Sequence, residues 1–115
     1  MKWTGKHDGE ALAGRLRKAL GRRRVTEKRM FSGVCFMLRG NMLCGTAREG
    51  LMFRVGKEQH EAASRRKGAR AMEMNGRVMQ GFLWVDPEHC DARSLKIWLA
   101  LAERYVSSLP AKKEK

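Results

Sequence analysis

Apolar residues recur along this chain at two different periods, and the changes of period divide it into elements. From Glu10 onward Leu12, Ala13, Leu16, Ala19 and Leu20 return at helical spacing. Gly21 stands where such a helix would stop. Lys28 to Phe31 then reads as a short strand, with Ser32-Gly33 as a break or bulge. Two apolar runs, Val34–Arg39 and Met42–Ala47, flank Gly40-Asn41, a dipeptide suited to the positive φ angles of a tight hairpin turn. Arg48-Glu49-Gly50 is a second turn. Leu51–Val55 alternates Leu51, Phe53 and Val55 against Met52 and Arg54. Gly56 closes this meander.

Lys57–Arg66 is rich in helix formers, with Ala62 and Ala63 as its inward contacts and Gly68 as its stop. Strands follow over Arg70–Met74, Arg77–Met79 and Phe82–Val85, the first two joined by an Asn75-Gly76 turn. Asp86-Pro87 ends the sheet. A last helix is predicted to begin at Ser94, where Leu95, Trp98, Leu99, Ala102, Tyr105, Val106 and Leu109 form a wide apolar stripe. The order α-β-β-β-β-α-β-β-α, with short connections, predicts a two-layer α+β domain: an antiparallel sheet with helices packed mainly on one face. Residues 1–8 are expected to be a flexible N-terminus with Asp8 as a helix cap, 9–109 the domain, and 110–115 a basic tail, solvated over Lys112–Lys115.

Several blocks are similar to the N-terminal domain of the TfoX/Sxy competence-regulator family. Arg29-Met30-Phe31-Ser32-Gly33 resembles that family's Arg-Met-Phe-Gly-Gly signature, with Ser32 standing where Gly is usual. Val34-Cys35-Phe36-Met37, Gly50-Leu51-Met52-Phe53-Arg54-Val55 and Met79-Gln80-Gly81-Phe82-Leu83-Trp84-Val85 follow in the order of its other blocks, so the likeness spans Val25 to Leu109. The resemblance implies a fold like that of secretion chaperones, no known active site, and a bacterial regulator acting on transcription together with the cyclic-AMP receptor protein. Full-length members also carry a C-terminal domain similar to helix-hairpin-helix modules, so this chain is expected to be a stand-alone N-terminal domain.

Charge adds a second line of reasoning. The 115 residues include 25 Lys and Arg against 12 Asp and Glu, a net charge of +13. Such an excess favours polyanions: nucleic acid, acidic protein surfaces or anionic lipid. Arg15, Arg17, Lys18, Arg22, Arg23, Arg24, Lys28 and Arg29 crowd one segment, opposed only by Glu27, and Arg65, Arg66, Lys67 and Arg70 form a second group. Arg22, Arg23, Arg24, Arg29, Arg65, Arg66 and Lys67 are the candidate phosphate contacts. The plainer reading of both groups is a solvated surface. Nothing in the sequence reads bases: it holds no helix-turn-helix and no RNA-binding aromatic signature.

Candidate chemistry is sparse. The Gly40-Asn41 turn pairs Arg39 with Met42, Met37 with Cys44 and Cys35 with Thr46. Cys35 and Cys44 then share a face but lie about 7–8 Å apart on the diagonal, too far for a disulfide. They read as small buried hydrophobes. His89-Cys90-Asp91, near Asp86 and Glu88, lacks zinc spacing and reads as an acidic loop. His7 and His60 have no nucleophile partner, and no glycine frame makes a phosphate loop. No catalytic pair, cofactor or metal is expected. The eight methionines read as a soft core beneath the helices, with a methionine-rich binding face as the other possibility.

No secretory leader or spanning segment is evident, so a cytoplasmic location with reduced thiols is expected. The leading functional expectation is a non-enzymatic regulatory or interaction domain, bound to a protein of the transcription machinery. A nonspecific nucleic-acid binder using the arginine groups is the alternative, and an enzyme is the least favoured.

Overall fold

The computed structural model describes residues 9–30 and 33–112. The expected flexible segment 1–8 with its Asp8 cap, His7, the Ser32 half of the bulge, and residues 113–115 of the tail lie outside them. The amphipathic pattern near the start becomes α1 (Gly9–Leu20), which buries Leu12, Ala13, Leu16 and Leu20. It ends at Gly21, whose φ of 59° and N–H bond to the Arg17 carbonyl (3.1 Å) make the glycine stop.

Four strands follow: β1 (Val25–Met30), β2 (Gly33–Leu38), β3 (Asn41–Ala47) and β4 (Gly50–Arg54). Then come α2 (Lys57–Ser64), β5 (Ala69–Met74), β6 (Arg77–Val85), a 3-10 turn over Pro87–His89, and α3 (Ala92–Val106). All strand pairs are antiparallel, in the order β1-β2-β3-β4-β6-β5. The α+β class and element order are as the sequence predicts. α1 and α3 pack over the central strands and α2 over β6 and β5. One core lies between the layers, built on Leu16, Phe36, Leu43, Phe53, Leu83, Trp98 and Leu99. Trp98 is 1% exposed and stacks on Phe53 at 5.4 Å between ring centres.

The predicted hairpin exists, but its turn and register are corrected. The two turn residues are Arg39 and Gly40, with φ of 50° and 80°, and Leu38 pairs with Asn41. Met37 faces Met42, Phe36 faces Cys44 and Cys35 faces Gly45. A bulge makes this shift: β3 spends an extra residue, Leu43, between those pairs, and Leu43 and Cys44 both turn into the core. Cys35 therefore lies on the opposite face from Cys44 instead of sharing one with it.

An arginine resists the left-handed region. Here the turn is fastened by distant chain. The Arg39 guanidinium donates to the carbonyls of Ser107 (2.5 Å) and Leu109 (3.2 Å). The Asn41 amide donates to Pro110 O (2.9 Å), and Lys112 N–H to Arg39 O (2.8 Å).

Smaller boundary corrections have equally local causes. β1 starts at Val25, not Lys28. β6 is one strand from Arg77 to Val85, bent at Gly81 (φ 92°), where the His60 Nδ1 accepts the Gly81 N–H at 2.9 Å. α2 stops at Ser64. α3 starts at Ala92 and not at Ser94, because Asp91 is its cap: the Asp91 carboxylate accepts the Ser94 N–H at 2.8 Å. The expected acidic loop at His89-Cys90-Asp91 is thus a 3-10 turn and a helix cap, with Cys90 fully buried.

Candidate functional site

The sheet has two faces, and the helices cover only one. Across a ladder, directly opposed residues project to the same side. Register therefore sorts Lys28, Cys35, Met37, Met42, Met52, Arg54, Phe82, Trp84 and Arg70 onto the face away from the helices. Val34, Phe36, Cys44, Leu51, Phe53, Leu83 and Val85 take the covered face and join the core. No methionine among the described residues belongs to that core. The expectation that the methionines form a soft core under the helices is overturned: the described ones lie on the uncovered face.

That face is concave. A cavity of about 510 Å³ is lined by Met30, Met42, Met52, Met72, Met74 and Met79 together with Cys35, Phe82 and Trp84. One wall is the distal half of the β5–β6 hairpin. Beyond the Gly81 bend it runs past the end of β4, and its turn at Asn75-Gly76 has φ of 53° and 76°, as the Asn-Gly signal predicts. Met74 and Val78 near its tip are 49% and 45% exposed, the most exposed large apolar side chains described. Gly45 matters to the floor. A Cβ there would lie 3.5 Å from the Cys35 sulfur and 2.9 Å from the Val34 carbonyl oxygen, so a side chain would crowd the floor and β2. At the end of β4 the Arg54 guanidinium lies 5.4 Å from the Phe82 ring centre and 5.5 Å from that of Tyr105 on α3.

The basic groups are placed separately. Arg22, Arg23 and Arg24 lead into Val25, which pairs with Leu38 at the Asn41 end of β3; Arg65, Arg66 and Lys67 lead into Ala69, which pairs with Val85 at the Ala47 end. β1 and β5 are the two sheet edges, five spacings or about 24 Å apart. The groups therefore sit at diagonal corners.

Several of these cations already have internal partners. Arg17 grips Glu27 with two bonds of 2.7 and 2.8 Å. Arg29, on the helix side of β1, meets Glu10 at 2.9 Å. Arg23 meets Glu103 at 3.1 Å and also donates to the Leu20 carbonyl, closing the end of α1. Arg15 donates to the Pro87 and Cys90 carbonyls, and Arg65 pairs with Glu61 one turn earlier. Arg66 and Lys67 share a shallow cleft with Glu88 and Asp91. Among the described residues, Arg22 and Arg24 have no ion-pair partner.

Titration shifts follow these contacts. The Arg17 fork holds the Glu27 carboxyl below the usual carboxylate range, and the Ser94 amide does the same for Asp91. Burial pushes all three thiols up: Cys90 to about 11, Cys44 further, and Cys35 despite the opposing pull of Lys28. They are protonated at neutral pH and poor nucleophiles. Among the described residues no cluster of three His, Cys, Asp or Glu could hold a metal ion. His60 is engaged in holding the β6 bend, and His89 packs beneath Gly68.

Fold and surface together define an open-faced α+β domain with an apolar concavity on the bare side of its sheet. The TfoX N-terminal domain family model matches residues 17–105, and the chain belongs to that family. Neither the curated proteins nor the solved structures contain a significant match. No described helix is long and apolar enough to cross a membrane.

Proposed function

We propose that this domain is a non-enzymatic regulatory module that acts by binding another protein through the methionine-lined face of its sheet. The carrying observation is that face itself: six methionines, a phenylalanine and a tryptophan line a concavity that none of the described helices covers. Apolar patches of this kind mark interaction sites on single domains. Methionine side chains, unbranched and polarisable, adapt to a partner's shape. The resemblance to competence regulators links the bound partner to transcription. Protonated thiols, and the structural contacts of His60 and His89, support a role without chemistry. The diagonal placement and internal pairing of the arginines weigh against one continuous nucleic-acid track, which needs its cations in line with the phosphates.

A photo-crosslinking residue placed at Met72, and separately at exposed Lys96 on α3, tests this in nuclease-treated extract of the source cells. A discrete protein adduct from position 72 and not from 96 is the expected result. Equal adducts from both positions, adducts lost with nuclease, or none from position 72 would overturn it.

A further inference from the structure

We propose that the occupant of the methionine face is an acidic amphipathic helix of a partner protein. This rests on the reading of that face as the docking surface, and it adds both the conformation and the charge of what docks there.

Conformation follows from what the lining cannot offer. Met42, Met52, Met72, Met79, Phe82 and Trp84 present thioethers and hydrocarbon, with the indole N–H as their sole strong donor. An extended segment laid on them would bury backbone N–H and C=O groups without partners. A helix satisfies those groups internally and needs only side-chain contact. Strand addition at an edge is a different mode, and the β1 edge is guarded: Thr26, Glu27, Lys28 and Arg29 are all exposed there. The dimensions agree. The sheet is about 24 Å wide, the length of a helix of about 16 residues. The opposite face already holds helices in this manner.

Charge selects the kind of helix. Arg48 lines the cavity itself, and on the same open side register places Lys28 beside Cys35 and Arg77 beside exposed Met74. Glu49 and Glu73 are the acids along the cavity. The surround is basic on a chain of net charge +13. A second copy would bring the same +13 against it, so self-association through this face is opposed. A helix with Leu, Phe or Met at i, i+3, i+4 and i+7 and Glu or Asp on its flanks meets both the apolar floor and the basic rim.

The probe is a fluorescein-labelled peptide of about 16 residues, with Leu and Phe at those anchor positions and Glu elsewhere. It is titrated against the intact protein by anisotropy. Two companions are an order-scrambled peptide of identical composition and the same helix with Lys for every Glu. The acidic amphipathic peptide is expected to bind, with both companions weaker by about tenfold or more. Lys28→Glu with Arg77→Glu, both at exposed positions, should weaken it similarly at an unchanged melting temperature. Met72→Asp with Met79→Asp should abolish binding, with circular dichroism confirming the fold.

Equal binding of the scrambled peptide, or indifference to the two charge reversals, would overturn the proposal. So would displacement of the peptide by phosphatidylglycerol vesicles bound through the same face, which would assign the surface to lipid. Position-72 adducts without peptide binding would leave the docking surface in place and refute only the acidic helix.

Discussion

Thr46 lies on the covered side of β3, 5% exposed, and its hydroxyl ties three elements together. The Oγ1 accepts the Val34 N–H of β2 at 3.1 Å and donates to the Gly9 carbonyl of α1 at 2.8 Å. Thr46→Val keeps the shape and removes both bonds. The Val34 N–H, on a residue 2% exposed, loses its hydroxyl acceptor; an orphaned buried donor costs about 1–3 kcal/mol. The Gly9 carbonyl keeps its helical partner, so the loss there is about 0.5–1.5 kcal/mol. Exchanging a hydroxyl for a methyl returns about 1 kcal/mol of apolar burial. The net destabilisation is about 0.5–3.5 kcal/mol, centred on about 2 kcal/mol, a sizeable part of a stability of about 5–15 kcal/mol.

Thr46→Ser supplies the discriminating control. It keeps both bonds and loses one buried methyl, about 0.8 kcal/mol. Hydrogen bonding therefore predicts the stability order Thr, Ser, Val in urea melts, whereas simple burial predicts Val at least equal to Thr and Ser last. Amide exchange at Val34 should accelerate in the Val variant beyond what its lower global stability explains. If Val equals Thr in urea midpoint and Val34 stays as protected, the hydroxyl does not hold α1 to the sheet.

Trp98→Ala should destabilise by about 3–5 kcal/mol, since its ring is 1% exposed and stacked on Phe53; an unchanged melting temperature would place the α3 stripe elsewhere. Acid should act partly through Glu27: its folded pKa lies below the unfolded value, so its contribution is present above the unfolded value and fades as pH falls through the folded one. Glu27→Gln should flatten that acid limb, and an identical limb would remove Glu27 from it. Should the Val25 corner contact duplex DNA, Arg22→Ala with Arg24→Ala would flatten the log-affinity against log-salt slope by up to about 1.8. Arg23 is left intact because its loss would also uncap α1 and release Glu103. An unchanged slope would exclude that corner from phosphate binding.

The helices were legible because their cues are local: the α1 stripe ending at Gly21, and the α3 stripe carrying Trp98 and Leu99, are where the sequence placed them. The two tight turns show where such reading stops. Asn75-Gly76 is predicted correctly because Asn and Gly both accept positive φ and nothing distant competes. At Arg39-Gly40-Asn41 the dipeptide cue points one residue too far on. Asn41 is drawn off by Pro110, while Arg39 is held in its unusual conformation by Ser107 and Leu109, about 70 residues away along the chain. The Leu43 bulge then moves Cys35 and Cys44 to opposite faces, and no local residue signal announces it. Likewise the arginine groups are visible as charge, but their carboxylate partners Glu10, Glu27 and Glu103 are fixed only by folding.

The uncovered face had a signal that period alone does not expose. In each central strand both alternating sets are apolar, so alternation gives two faces without saying which one the helices take. Residue type breaks the tie. Leu51, Phe53 and Val55 share one parity in the fourth strand and Met52 with Arg54 the other; Val34, Phe36 and Leu38 oppose Cys35 and Met37 in the second; Leu83 and Val85 oppose Phe82 and Trp84 in the sixth. Branched aliphatic side chains, with few rotamers to lose and shapes that interlock, fill the permanent core beneath the helices. Methionine keeps its freedom where no fixed neighbour packs against it, and so collects on the side the helices leave bare. Arg54 in the methionine set agrees with the assignment, because a guanidinium is kept out of the apolar core and lies over the Phe82 ring instead. Parity read across several strands at once, rather than along each singly, separates the core face from the uncovered face.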